Sequence, residues 1–282
     1  MKNGFLGVHN VVVTGAQAMA NIYVEGFPSV TGILGMMHAT QRKCNFEHNK
    51  NIKFNAVSVF LRELECSITH PRFTPGHENQ RASGNSAIAA TVDTRILNFV
   101  ADFVFNIDLL DENLDENIDF LQSEDFKNIF FSNFCCSGVI ESVDKIKFDE
   151  SFFTHLNSIP YNAFVLECAS DELIKIKNEH EVDALEALLR MCEGGKRDEK
   201  NVDFYAVPLA VGFVSLDEQP QQREGARAVQ HIYAEPLLGA GRLRNVKSLR
   251  NHEKQENHKK IFWSYFSNSK MFIAKSNTIL EI

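Results

Sequence analysis

The sequence predicts an α+β fold built in the order strand, helix, strand, strand, helix, strand, with a C-terminal α/β extension. Three observations carry it. A Val-rich run is followed by a helical pattern within residues 4–43. Two long β-like segments, 54–69 and 88–107, flank a polar stretch. An acidic amphipathic segment at 111–131 runs into a short apolar one, Ser137-Gly138-Val139-Ile140. This order is the ferredoxin-like (RRM-like) arrangement, which many RNA-recognition domains use.

The elements follow in turn. Gly4 to Val13 reads as a buried strand, and a loop from Gly15 to Glu25 leads to Gly26-Phe27-Pro28-Ser29. Apolar residues at Val30, Ile33, Leu34 and Met37 predict a helix starting near Pro28, which suits a first turn. It is expected to close on the basic Gln41-Arg42-Lys43. Gly26 permits an unusual backbone angle. Gly32 and Gly35 lie inside the helix, each costing up to about 1 kcal/mol relative to Ala. They either form a flat face for close packing or are simply tolerated.

In 54–69, Val57, Val59 and Leu61 share one parity and Leu64, Cys66 and Ile68 the other, so a bulge or bend is expected near Phe60-Leu61. Leu97 to Ile107 alternates apolar with mostly polar residues, predicting a half-buried strand. The two segments make a long hairpin whose tip, 70–90, carries Arg72, Phe73 and Arg81. Loops of this length are usually functional or disordered. Here the arginines offer phosphate contacts and Phe73 a stacking ring. Leu114, Ile118, Leu121 and Phe126 predict one acidic helix, capped by Asp111 or Asn113.

The second half is less regular. Tyr161–Cys168 reads as a strand, and Val182, Leu185, Leu189 and Cys192 as a helix ended by Gly194-Gly195. Lys196–Asn201 reads as a surface loop, and Tyr205–Val211 as an apolar segment that Pro208 makes an edge or a bend. Phe262–Phe266 and Met271–Ile273 read as a final hairpin.

Composition narrows the classes. At 282 residues, with 44% hydrophobic and 23% charged residues, the chain is an ordinary globular one without a membrane-length apolar run. Six cysteines without metal-like spacing suggest reduced thiols and a cytoplasmic location. The net charge of −8 argues against a general nucleic-acid binder. Charge is uneven, however: nine acids and no Lys or Arg from Asp102 to Asp125, and nine Lys and Arg against four acids from Arg223 to Lys260. A local basic surface suits a dedicated site. Gly239-x-Gly241 with Arg242 and Arg244 reads either as a phosphate-approaching loop or as a turn with two exposed arginines. His9, His38, His70, His77 and His231 are candidate acid–base groups, none in a diagnostic spacing. No motif supports a metal, a cofactor or a nucleophile.

The segment Glu25–Lys43, with its Gly26-Phe27-Pro28-Ser29, Gly35, His38-Ala39 and Gln41-Arg42, resembles the signature of the second Csy-family subunit. That subunit is the Cas-five-type protein, of the RAMP superfamily, in type I-F CRISPR surveillance complexes. Asn10, Ser137–Ile140, the helix from Asp183 to Cys192, Tyr205–Pro208, Arg223, Arg227 and Glu235–Gly241 occur in that family's order, so the resemblance spans essentially the whole chain.

The resemblance implies a ferredoxin-like palm, 1–145, with a thumb inserted at about 70–90, and a helical and β extension, 146–282, completing the palm. It implies a non-catalytic subunit that caps the 5′ handle of the CRISPR RNA. Its expected partners are the large subunit, which reads target DNA near the protospacer-adjacent motif, and the backbone subunit beside the 5′ end. The RNA-contact residues expected on this basis are Asn10, Phe27, Arg42, Lys43, Arg72, Phe73, Arg81, Arg223, Arg227, Arg242 and Arg244. The alternative is a metal-independent endoribonuclease acting on repeat RNA.

Overall fold

The computed structural model describes residues 2–21, 23–66, 70–73, 91–110, 113–193, 204–222, 230–251 and 259–276, with side chains left aside at 70–73, 91–94, 204 and 251. The chain runs β1 (Lys2–Gln17), α1 (Val30–Glu47), β2 (Ile52–Cys66), β3 (His70–Phe73), β4 (Thr91–Thr94) and β5 (Ile96–Leu109). Then come α2 (Leu114–Leu121), α3 (Glu124–Phe131), β6 (Phe134–Cys135), β7 (Gly138–Ser142), β8 (Lys145–Asp149), α4 (Phe152–Ser158) and β9 (Phe164–Cys168). The rest is α5 (Ser170–His180), α6 (Ala184–Glu193), β10 (Phe204–Ser215), β11 (Ala234–Asn245), α7 (Val246–Asn251), β12 (Trp263–Ser267) and β13 (Met271–Ser276).

The strands of the first half lie in the order β2-β5-β1-β7, every neighbouring pair antiparallel. The second half extends the sheet from its β2 edge through β9, β11, β10, β13 and β12, and a single pair, Trp263 with Val57, brings β12 back to β2. Trp263 is fully buried there, its indole N–H donating to the Leu166 carbonyl at 3.0 Å. β3 and β4 form a separate two-stranded ribbon beyond the β2–β5 hairpin. The hairpin tip lies outside the described residues, as does the loop expected at Lys196–Asn201.

One face of the central strands packs Leu6, Val8, Phe103, Phe105, Val57 and Val59 against α1 and α3. The opposite face carries Phe5, Ala56, Phe60 and Val104, covered by Phe152 and Leu156 of α4, Val246 and Leu249 of α7, and Phe262. The middle of β5 is therefore buried on both faces, and only its start alternates. The expectation of a half-buried strand fails there because Asp102 and Asn106, which read as solvent-facing, are fully buried and hydrogen-bonded. The bulge expected in β2 falls between Leu61 and Glu63.

Three further expectations are corrected. α1 does not close on Arg42-Lys43: it continues one turn, because Cys44 is buried and Asn45 exchanges hydrogen bonds with the backbone of Ile52 on β2. The acidic helix is two helices, because Ser123 caps α3 by accepting from the Phe126 amide while its hydroxyl donates to the Phe120 carbonyl. Helix α5 is absent from the sequence reading; none of its residues is buried, and only Leu173 and Ile176 pack, partly, against the small cluster of Ala169, Leu188, Met191 and Ala240. Pro208 sits where β10 pairs only with β11, since β13 joins β10 only at Gly212–Val214, so the strand is an edge at that point.

Candidate nucleic-acid interface

The centre of the sheet holds a charged network. Asp102 lies mid-way along β5, and both neighbouring strands are irregular beside it: β1 bulges between Val8 and Val11, β2 between Leu61 and Glu63. A bulge re-aims side chains. Here Arg62 and His9 turn in towards the carboxylate. Arg62 donates twice, Nε to Oδ2 and Nη2 to Oδ1, both at 2.7 Å. The Asn10 amide donates to Oδ1 at 3.0 Å, and His9 Nδ1 lies 3.1 Å from the same oxygen. Burial pushes the Asp102 carboxyl up, but the bonds from His9, Arg62 and Asn10 outweigh it and hold it below the usual carboxylate range.

The network continues to α4. His9 Nε2 is 3.3 Å from His155 Nδ1, and His155 Nε2 is 3.1 Å from the Phe5 carbonyl oxygen. A carbonyl only accepts, so His155 donates through Nε2 and accepts through Nδ1. His9 lies between the two, its Nδ1 facing Asp102 and its Nε2 facing His155. Burial, with the charge on His9, brings His155 down to about 4. Both rings are buried, at 6% and 1% exposure.

A second charged group ties β9 to β11. Glu167, fully buried, accepts from Arg242 Nε at 2.9 Å, while Arg244 Nε lies 3.1 Å from its other oxygen, off the hydrogen-bond line. Arg242 also pairs with Glu172 of α5. Burial pushes the Glu167 carboxyl up, against the pull of Arg244 and Arg242. The Gly239–Arg244 stretch is accordingly strand, not the expected turn or loop. Its glycines serve packing inside the sheet: a Cβ on Gly241 would lie 2.5 Å from Leu209 Cδ1, and one on Gly239 2.8 Å from Val211 Cγ1.

A concavity lies between α1, the β6–β7 turn and strands β10 and β13, with a volume of ≈ 780 Å³. Its aromatic wall continues as a ladder: Phe213 stacks on Phe272 at 5.3 Å between centroids, Phe272 on Tyr265 at 5.5 Å, and Tyr265 meets the edge of His38 at 6.3 Å.

A family described as CRISPR-associated protein (Cas_Csy2) matches residues 6–272. The chain belongs to the Cas_Csy2 family. It is thus a Csy-family CRISPR-associated subunit. No curated protein matches it. Among the described residues of this family member, no helix is long and apolar enough to cross a membrane, and no cluster of His, Cys, Asp and Glu is arranged to hold a metal.

The residues expected to touch RNA are dispersed on this Cas_Csy2 chain. Asn10 is half-buried at the β1 bulge with a positive φ of 54°, its side-chain amide donating to Asp144 Oδ2 at 2.6 Å. Phe27 is a core residue, 5% exposed, not a surface ring. Arg42 is exposed, its guanidinium 6.0 Å from the Phe46 ring centroid. Lys43 lines the concavity and donates to the Ser132 hydroxyl at 2.7 Å. Arg242 and Arg244 face Glu167 instead of solvent. Arg72 and Phe73 are described as backbone of β3 alone, and Arg81, Arg223 and Arg227 lie outside the described residues. The sequence reading missed Arg62, Asp102 and Glu167, and the Phe213–Phe272–Tyr265 ladder; only the bulge signal in β2 pointed towards the first two.

Proposed function

We propose that this chain is the non-catalytic subunit of a type I-F CRISPR complex that binds the 5′ handle of the CRISPR RNA. In that role it pairs with the large subunit near the protospacer-adjacent motif of target DNA and abuts the first backbone subunit. The observation that carries the reading is the family match over residues 6–272. The strand order β2-β5-β1-β7, with α1, α2 and α3 as the connecting helices, supports a ferredoxin-like palm, and the β3–β4 ribbon supports a thumb. The sheet face that RNA-recognition domains leave open is covered here by α4, α7 and Phe262. RNA contact therefore belongs to the periphery: the thumb, the exposed Arg42, and the concavity beside α1. The burial of His9 and His155 supports a binding role over a cleaving one.

The test is reconstitution of the complex with repeat-derived RNA in the presence of a chelator. The reading expects intact RNA, retained by the complex and crosslinked to this chain at its 5′ handle. Absence of crosslinks from this chain to RNA would make it a protein-bridging subunit. Specific cleavage lost on a His→Ala change would make it a nuclease.

A further inference from the structure

The concavity beside α1 has features that the packing of the chain itself does not explain. Its floor is a stripe on α1 in which Thr31, Gly35, Ala39 and Lys43 follow one another at single-turn intervals. Gly35 costs its helix up to about 1 kcal/mol relative to Ala. Gly32 has an intramolecular reason to be glycine, since a Cβ there would lie 3.0 Å from Cys136 Sγ. Gly35 has none: nothing lies within 4 Å of where its Cβ would be. The missing side chain leaves open space, not a tight contact.

Opposite this floor stands Phe213, 47% exposed on β10. It lines both the ≈ 780 Å³ hollow and an adjoining one of ≈ 430 Å³, which also share Ala20 and Thr31. The Phe213 ring is held from behind by the Phe272 ring, the two planes 15° apart, so its orientation is set before anything binds. The same hollow is lined by the hydroxyls of Ser29 and Thr31, which bond each other at 2.7 Å, by that of Ser137, and by the side chain of Asn133, whose amide nitrogen is fixed by Thr40 and the Ile129 carbonyl. At the far end is the Lys43 ammonium. In a chain with 37 acidic residues and a net charge of −8, neither hollow has an Asp or Glu among its described lining residues.

A flat ring, hydrogen-bonding groups around it, one cation and no carboxylate are what an unpaired nucleotide requires: a stacking face, polar partners for the base edge, and an unopposed charge for the phosphate. A partner helix seated on the same small-residue stripe would gain nothing from the hydroxyl rim or from the exclusion of carboxylates. We propose that this cleft holds one unpaired base of single-stranded RNA, stacked on Phe213, with the backbone of the strand running along α1 towards Lys43. The proposal rests on the RNA-binding reading and goes beyond it by naming the place and the ring.

The test uses the full-length chain, a fluorescently labelled single-stranded RNA carrying the repeat-derived 5′ handle, and the same sequence as single-stranded DNA, at fixed salt. Three variants are compared with the parent. Phe213→Ala removes the ring and is expected to weaken RNA binding about 5- to 100-fold. Phe213→Trp keeps a stacking face and should bind within about twofold of the parent. Gly35→Leu fills the floor with a better helix former, so thermal stability holds or rises while RNA affinity falls as with Phe213→Ala. RNA substituted with 4-thiouridine should crosslink to peptides containing Phe213 or Phe272.

If the parent binds the RNA and a folded Gly35→Leu binds it equally well, the cleft proposal is overturned while the RNA reading stands. If the parent binds no RNA above its level for the DNA, the RNA reading itself fails and the cleft falls with it. If Gly35→Leu keeps RNA affinity but no longer assembles with the other subunits, the occupant is a protein and the proposal is wrong.

Discussion

Asp102→Asn tests the charged network at the centre of the sheet with almost no change in shape. The carboxylate receives four contacts: two from Arg62 at 2.7 Å, one from the Asn10 amide at 3.0 Å and one from His9 at 3.1 Å. An Asn carbonyl can still serve the contacts made to one oxygen. The other position becomes an NH2 facing the Arg62 Nε–H, and the negative charge opposing Arg62 is gone. Removing one partner of a buried ion pair costs about 3–5 kcal/mol. The Arg62 side chain keeps 23% exposure and recovers some hydration, which places the expectation near the low end of that range. About 3 kcal/mol corresponds to a fall in Tm of about 6–12 °C for a chain of this size. The assay is urea unfolding of the parent, Asp102→Asn, Arg62→Met and the double variant. The two single changes should be non-additive by about 1 kcal/mol or more. A cost below about 1 kcal/mol for Asp102→Asn, or additivity within about 0.5 kcal/mol, would refute the view that this pair holds the three strands together.

Four other outcomes are expected. His155 is buried and depressed to about 4, so the parent is fully stabilised above pH 6.5 and loses that contribution as pH falls towards 4; His155→Gln should flatten this limb of the stability profile by about 3 kcal/mol, measured by unfolding midpoints across pH. Arg42→Ala should leave stability within about 0.5 kcal/mol of the parent, yet weaken guide-RNA binding uniformly across sequences and reduce its salt slope by about one; Arg242→Ala should instead destabilise the fold, because it strips Glu167 of its hydrogen-bonded partner. Burial pushes the Cys44 thiol up to about 12, so alkylation of the native protein should label the exposed Cys66 and spare Cys44, as read by peptide mass spectrometry.

Much of the strand and helix order was legible in the residues, because it rests on local periodicity: the Val-rich first strand, the α1 apolar stripe, the β2 parity switch and the last hairpin all appear where their patterns lie. What escaped depends on distant partners. Asp102 and Asn106 alternate with phenylalanines as a solvent face would, and only α4 and Phe262, arriving much later in the chain, make that face a second core. Gly239-x-Gly241-Arg242 has the look of a phosphate loop, but the close approach it allows is to Leu209 and Val211 on the adjacent strand. Arg242 looked available for RNA because Glu167, 75 positions away, carries no sequence mark of its role. Phe213 and Phe272 were two phenylalanines among 23 until β10 and β13 paired.

The covering of the central sheet by late-arriving residues has a consequence for how the chain is made. While residues up to Asp149 leave the ribosome, β1, β2 and β5 can pair, but Phe5, Phe60 and Val104 have no lid and His9 has no partner ring. Closure waits for Phe152 and His155, and it is completed only by Val246, Leu249 and Phe262, close to the last described strand. A nascent chain interrupted near residue 150 would therefore display a sticky apolar sheet. Such fragments are substrates for chaperones and proteases, and truncated products should not accumulate as competitors for the full-length subunit.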